Sequence, residues 1–254
     1  MTICSSTLVG EATSPAMRFS VDATKPQSPS ARGRLVSLGL LFASMTCVAG
    51  CKLNFDFGEP LVGSGTALSV DRQTDSFTRI QVSGSLKVVA TTGESTQVSV
   101  SGDDNVVSKI ETVAKDGTLS IRLNHRGTLQ TKNKLVINLV APEFDGASVS
   151  GSCDVTISDT NTKEFAADVS GASHLTLSGR CEELSAQISG ASHLKAKSLL
   201  ANHVSLQASG ASTADVHANE SIRGQASGAS GVRYEGQPKS ISVSTSGASS
   251  AKAL

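Results

Sequence analysis

The sequence predicts an all-β protein: a right-handed parallel β-helix, or β-solenoid, whose coils take about 19 residues in the C-terminal half, with a related β-rich part before them. Three observations predict it. The first is a recurring Ser-Gly followed by Ala or Ser, which places Gly151, Gly171, Gly190, Gly210, Gly228 and Gly247 at spacings of 20, 19, 20, 18 and 19 residues; a fixed period of this length marks a stacked-repeat architecture. The second is apolar alternation at fixed offsets from these glycines. The third is composition: aromatics are 3% of the chain, Trp is absent and Gly numbers 23. The core must therefore come from Val, Leu, Ile and Ala at regular positions, which suits stacked coils better than an irregular globule.

Residues 1–50 read as an export leader. Arg32 and Arg34 precede the apolar run LVSLGLLFASMTCVAG at 35–50, which has the basic flank and short hydrophobic region of a secretory signal and is too short to span a membrane comfortably. It ends in Val48-Ala49-Gly50-Cys51, which resembles the lipobox of bacterial lipoproteins. Small residues let a peptidase thread the backbone, and the Cys51 thiol is the nucleophile that accepts the diacylglyceryl group. Lys52 follows the cysteine. By the rule that an aspartate there retains such proteins at the inner membrane, outer-membrane attachment is the expectation, with periplasmic or surface exposure left open. Met1 or Met17 can serve as the start.

Residues 51–75 mix Gly, Ser, Asp and isolated apolar residues without sustained period and read as a flexible tether. Residues 76–141 form the N-terminal β part. Short alternating strands are expected at 77–82, 86–88, 97–100, 119–123 and 135–140, with a helical turn admitted around Asn105 to Ile110.

Residues 142–254 carry the repeat. The sixth, fourth and second residues before successive glycines run Phe165/Ala167/Val169, Leu184/Ala186/Ile188, Val204/Leu206/Ala208, Ile222/Gly224/Ala226 and Ile241/Val243/Thr245. After the glycines, the fourth and sixth residues run Val155/Ile157, Leu175/Leu177, Leu194/Ala196, Ala214/Val216 and Val232/Tyr234. Each is a period-2 strand with one buried face. A turn of constant length joins the two strands, and length variation falls in the far connection. Glycine suits the sharp corner because positive φ or close backbone approach costs it little. Ser170, Ser189, Ser209, Ser227 and Ser246 should form one ladder, and Ser173, Ser192, Ser212, Ser230 and Ser249 another, with hydroxyls bonding along the stack.

The segments FTRIQVSGSLKVVATTGESTQVSVSGDDNVVSKIETVAKDGTLSIRL at 77–123 and KLVINLVAPEFDGASVSGSCDVTI at 134–157, together with the SGAS coils, resemble the autotransporter-adhesin head domain called the GIN domain, a family of unknown function found in many bacterial lipoproteins. The strand order, the Gly102-Asp103-Asp104-Asn105 segment and the Ala141-Pro142 step carry the likeness most specifically. The resemblance implies a β-helical fold of the pectin-lyase kind without its catalytic residues, and a role in adhesion argued by analogy of shape.

Chemistry could reside in few places. Asp154, His174 and His193 lie three residues after successive glycines, with Thr213 and Gly231 continuing the column. The two histidines, one coil apart, are candidates with Asp154 for a metal, although two solvated imidazoles explain the pattern without one. Asp168, Gln187, Gln207 and Gln225, three residues before the glycines, form an outward polar ladder whose amides can bond along the stack or face a glycan. Gly102-Asp103-Asp104-Asn105 lacks the spaced ligands of a calcium loop and reads as a solvated turn. Cys153 and Cys181 fall at different positions around the coil, which disfavours a disulfide between them.

No cofactor motif is present. With 22 basic and 22 acidic residues the chain lacks the electrostatic footprint of a nucleic-acid binder. The acids occupy different columns and Tyr234 is the only aromatic beyond Phe165, unlike a polysaccharide-cleaving enzyme. The expected function is thus a non-enzymatic, lipid-anchored envelope protein for adhesion or envelope interaction, with a membrane, a glycan or an envelope protein as partner. A lyase or hydrolase on the same scaffold is the alternative. A second alternative is a self-assembling protein, since Ala251 and Ala253 leave the last coil thinly covered and open to homo-oligomer formation.

Overall fold

The computed structural model describes residues 58–254, and the leader and Cys51 lie outside them. The chain runs through β1 (Leu61–Val62), β2 (Ala67–Arg72), β3 (Arg79–Gly84), β4 (Lys87–Thr92), β5 (Gln97–Asp103), a one-turn helix α1 (Asp104–Val107), β6 (Ile110–Lys115), β7 (Thr118–Leu123), β8 (Leu129–Gln130) and β9 (Val136–Ala141). It continues through β10 (Gly146–Gly151), β11 (Asp154–Val169), β12 (His174–Ile188), β13 (His193–Ala208), β14 (Thr213–Ala226), β15 (Gly231–Glu235), β16 (Ser240–Thr245) and β17 (Ser250–Ala253). This is a β-solenoid preceded by a β-rich part. Among the described residues no helix is long and apolar enough to cross a membrane.

Each coil has two strand segments joined at a glycine corner. One broad face stacks β7, β3, β10, the second half of β11, the second halves of β12, β13 and β14, and then β16, all in parallel register. The other stacks β9, β4, the first halves of β11 to β14, β15 and β17, again parallel. The long strands cross from one face to the other, and their register shifts fall between Ile157 and Thr160, Thr176 and Ser178, and Ala196 and Leu200. Length variation is absorbed there because those residues are not tied to the glycine corner.

Stacking does not follow chain order at the start. The β3–β4 coil lies between β7/β9, which come later in the chain, and β10/β11. Antiparallel strands close this end: β6 pairs with β7, β5 with β9, and β2 with β5. α1 turns buried Val106 and Val107 inward. Residues 61–72, read from the sequence as tether, are therefore part of the fold. β2 is exposed along most of its length, and its alternation is confined to Leu68 and Val70, of which Val70 packs against the core; its backbone pairing with β5 holds it in place.

The core runs between the faces as continuous columns. Val155, Leu175, Leu194, Ala214 and Val232 are 0% exposed and stack in register. Burying a leucine such as Leu175 or Leu194 contributes about 2 kcal/mol. Phe77 and Phe144 pack at a centroid distance of 6.3 Å where the chain enters the first coils. In the last coil Ile241 is 55% exposed, whereas Ile222, its partner one coil earlier, is 1% exposed.

Candidate functional site

The glycine corners are built by close approach. Gly84, Gly151, Gly171, Gly190, Gly210, Gly228 and Gly247 all have positive φ. The serines two residues further on turn inward: Ser173, Ser192, Ser212 and Ser230 are buried. The repeat led to the expectation that their hydroxyls bond to one another along the stack, and they do not. Instead they bond to the main chain: Ser192 Oγ donates to Gly171 O at 3.2 Å and Ser230 Oγ to Ser227 O at 2.8 Å, while Ser173 Oγ accepts from Cys153 N at 3.3 Å. The hydroxyl reaches carbonyls at the turn, and Gly171 O takes it in addition to the Ala191 N–H. Cys153 holds the same place one coil earlier, with Sγ 3.3 Å from Ser150 O and 3.4 Å from Gly84 O. These serines complete the backbone of the corner and are not a site.

The first broad face carries the amide ladder. Gln81, Ser148, Asp168, Gln187, Gln207, Gln225 and Ser244 occupy successive rungs in register. Asp168, Gln187, Gln207 and Gln225 are all exposed. Of the two roles the sequence allows this ladder, bonding along the stack is not what the three glutamines do. Ser120 donates to Gln81 at 3.2 Å, but Gln187, Gln207 and Gln225 make no side-chain hydrogen bonds among the described residues. Their donors and acceptors are open to a partner. Beside them runs a column of serines, Ser83, Ser150, Ser170, Ser189, Ser209, Ser227 and Ser246, at the residue before each glycine. These two columns are polar and, Asp168 apart, uncharged.

The second broad face brings His174 and His193 together at a ring-centroid distance of 6.0 Å. Asp154 is in register with His174 but approaches Lys87 at 4.0 Å, and His193 turns the other way, with Nε2 3.4 Å from Asp215 Oδ2. The three candidates do not converge, and no cluster of three or more His, Cys, Asp or Glu side chains among the described residues could hold a metal. Asp215, whose side chain is 9% exposed, instead takes two bonds from Arg233, at 2.6 and 2.7 Å. Sequence reasoning missed this pair. Its signal was present, because Asp215 and Arg233 both lie five residues after a corner glycine, on the outward side of adjacent rungs.

At the closed end, Asp103 is fully buried rather than part of a solvated turn. Its carboxylate accepts from Gly65 N, Lys132 N, Asn133 N and Asn133 Nδ2 at 2.7–3.2 Å. Burial pushes its pKa up, but the backbone N–H groups of Lys132, Asn133 and Gly65 and the Asn133 amide outweigh it and leave the carboxyl below its ordinary value. With its lone pairs occupied by N–H donors, this carboxylate is a clasp between loops, not a cation ligand. Asp104 begins α1 and accepts from the Ser64 hydroxyl. Cys153 and Cys181 are both buried and free.

The family described as "Putative auto-transporter adhesin, head GIN domain" matches residues 76–238. A crystal structure described as "a putative adhesin" from Bacteroides fragilis NCTC 9343 is 22% identical, with a TM-score of 0.66 over 76% of this chain and 100% of that one. Another, described as "Putative lipid binding protein" from Parabacteroides distasonis ATCC 8503, is 17% identical, with a TM-score of 0.50 over 77% of this chain and 100% of that one. Both are likenesses of fold. No curated protein matches the chain.

Proposed function

The chain belongs to the head GIN domain family, and from that premise we propose that it is a non-enzymatic adhesion module of the cell envelope, tethered to the outer membrane by a lipid on Cys51. The observation that carries this reading is the amide face. Gln187, Gln207 and Gln225 stand in register, exposed and unbonded, on a scaffold whose backbone pairing holds them rigid. Ordering such side chains on binding costs less than ordering a loop. A single contact on an open polar face is weak, but many anchored copies acting together give avidity. The basic flank, apolar run and small residues before Cys51 support the lipid anchor.

Two experiments test the proposal. Radiolabelled palmitate should enter the full chain and the protein should fractionate with membranes, and Cys51→Ser should abolish both. Cells displaying the chain should attach to at least one of bare, protein-coated and polysaccharide-coated surfaces more than cells lacking it. Gln187→Glu/Gln207→Glu should reduce that attachment. Display without any gain in attachment would overturn the adhesion reading.

A further inference from the structure

A cleft runs down the amide face, and its chemistry indicates what lies in it. Two adjoining depressions, of about 280 and 520 Å³, share Arg79, Ala166 and Ser185 in their linings. The shared floor follows one column of the stack. Gly146, Ala166, Ser185 and Ser205 occupy successive rungs in register, bounded by Arg79 on one side and Arg223 on the other. Gly146, Ala166 and Ser185 line the depressions, and three rungs at strand spacing make the floor about 10 Å long. One wall is the ladder of Asp168 and Gln187; the other is Glu164 and Glu183, also in register. The walls stand four residues apart along each strand, about 13 Å between backbones. That accommodates a single polymer strand lying parallel to the solenoid axis.

The charges select the polymer. Arg79 and Arg223 are committed to Asp145 and Glu183, at 3.0 and 2.9 Å. Glu143, Glu164 and Asp168 keep carboxylates with no ion pair or side-chain hydrogen bond among the described residues, and of the lysines only Lys163 lines the depressions. A phosphate- or sulfate-bearing chain would meet uncompensated negative charge. The ladder wall also presents amide N–H donors beside the carboxylate acceptors. Ammonium groups can donate only, whereas hydroxyl groups donate and accept. Phe165 is buried, so the cleft has no aromatic platform and holds its ligand by hydrogen bonds alone.

We infer that this cleft binds an uncharged polysaccharide strand, its hydroxyls bonded to Asp168, Gln187 and Glu164 and its length laid along the rungs. The inference rests on the adhesion reading and specifies its partner. Without stacking, the affinity of one cleft is weak, with a Kd between high micromolar and millimolar.

The test uses the full chain and neutral tetrasaccharides of β-1,4-glucan, β-1,3-glucan, α-1,4-glucan, xylan and mannan, followed by saturation-transfer NMR and titration. A sulfated tetrasaccharide and tetralysine serve as counter-probes. At least one neutral tetrasaccharide should bind. Ala166→Trp, which fills the exposed floor, should weaken binding at least tenfold, and Asp168→Ala should weaken it several-fold. Thr176→Trp, on the opposite broad face, should leave it unchanged. Melting curves show that each variant is folded. The inference is overturned if no neutral tetrasaccharide binds at millimolar concentration, if Ala166→Trp leaves binding intact, or if only tetralysine or the sulfated probe binds. In any of these cases, surface attachment by displaying cells would leave the adhesion reading standing.

Discussion

Gly190 lies so close to Gly171 that a β-carbon on the former would stand 2.5 Å from the carbonyl oxygen of the latter. That same carbonyl accepts the Ala191 N–H at 2.8 Å, and both glycines have φ near +75°. Dihedral, approach and hydrogen bond together admit only glycine at the corner.

Gly190→Ala should therefore destabilise the protein by about 2 kcal/mol or more, combining the left-handed backbone cost with displacement of a neighbouring coil. Gly231→Ala is the contrast. Its nearest neighbour to an added β-carbon is Thr213 Cγ2 at 4.0 Å and its φ is not positive, so a gain of up to about 1 kcal/mol is expected from the stiffer unfolded chain. Urea midpoints for the two variants would test the contrast; similar losses in both would refute the corner argument.

Asp103 predicts an acid dependence of stability. Its folded carboxyl titrates below its ordinary value because four N–H groups point at it, despite burial. The unfolded carboxyl takes up its proton first as pH falls. The contribution is thus complete above the ordinary carboxylate range and disappears as pH drops through the lower folded value. Asp103→Asn should lower the melting temperature at neutral pH, with the gap from wild type closing in strong acid. A gap constant with pH would contradict the clasp.

Arg233→Ala would leave the nearly buried Asp215 carboxylate with only His193 beside it. Because Arg233 is itself 45% exposed on its side chain, water partly compensates and the loss should be about 1–2 kcal/mol. Adding Asp215→Asn should recover part of it, since the uncompensated charge is then gone. Chemical denaturation of the two variants tests this, and a double variant weaker than Arg233→Ala would count against it.

The two cysteines should differ on substitution. Burial pushes both thiols up, Cys181 to about 11, so neither should react with maleimide at neutral pH until urea unfolds the chain. Cys153→Ser places a hydroxyl where the next coils already carry Ser173 and Ser192, within reach of two carbonyls, and should change stability by less than about 1 kcal/mol. Cys181→Ser buries a hydroxyl at a site whose thiol has no hydrogen-bond partner among the described residues and should cost about 1–3 kcal/mol. Fast labelling of native protein would overturn the first expectation, and equal costs the second.

Much of the solenoid was legible because each coil repeats one local problem. The alternation Leu184/Ala186/Ile188 or Leu175/Leu177 assigns side chains to inside and outside by strand geometry alone. The turn glycine announces where the chain reverses. Position on the ladder was legible too, as Gln187 and Gln207 show, but what those amides bond to was not, because side-chain reach depends on the neighbouring rung. The cleft floor of Gly146, Ala166 and Ser185 had a constant offset from the glycines and could have been found by tabulating small residues column by column.

By itself the sequence determined the period, the corner positions and the buried columns, since all of these follow from backbone geometry repeated at a constant interval; the family was legible only as a resemblance of particular segments such as Gly102-Asp103-Asp104-Asn105. Only the tertiary structure decided that the β3–β4 coil sits between strands that follow it in the chain, that Asp103 is a buried clasp, that β2 belongs to the fold, and that Asp215 draws His193 away from Asp154. Each of these depends on contacts between residues distant in sequence. No local pattern records a pairing whose partners are brought together only by the stack.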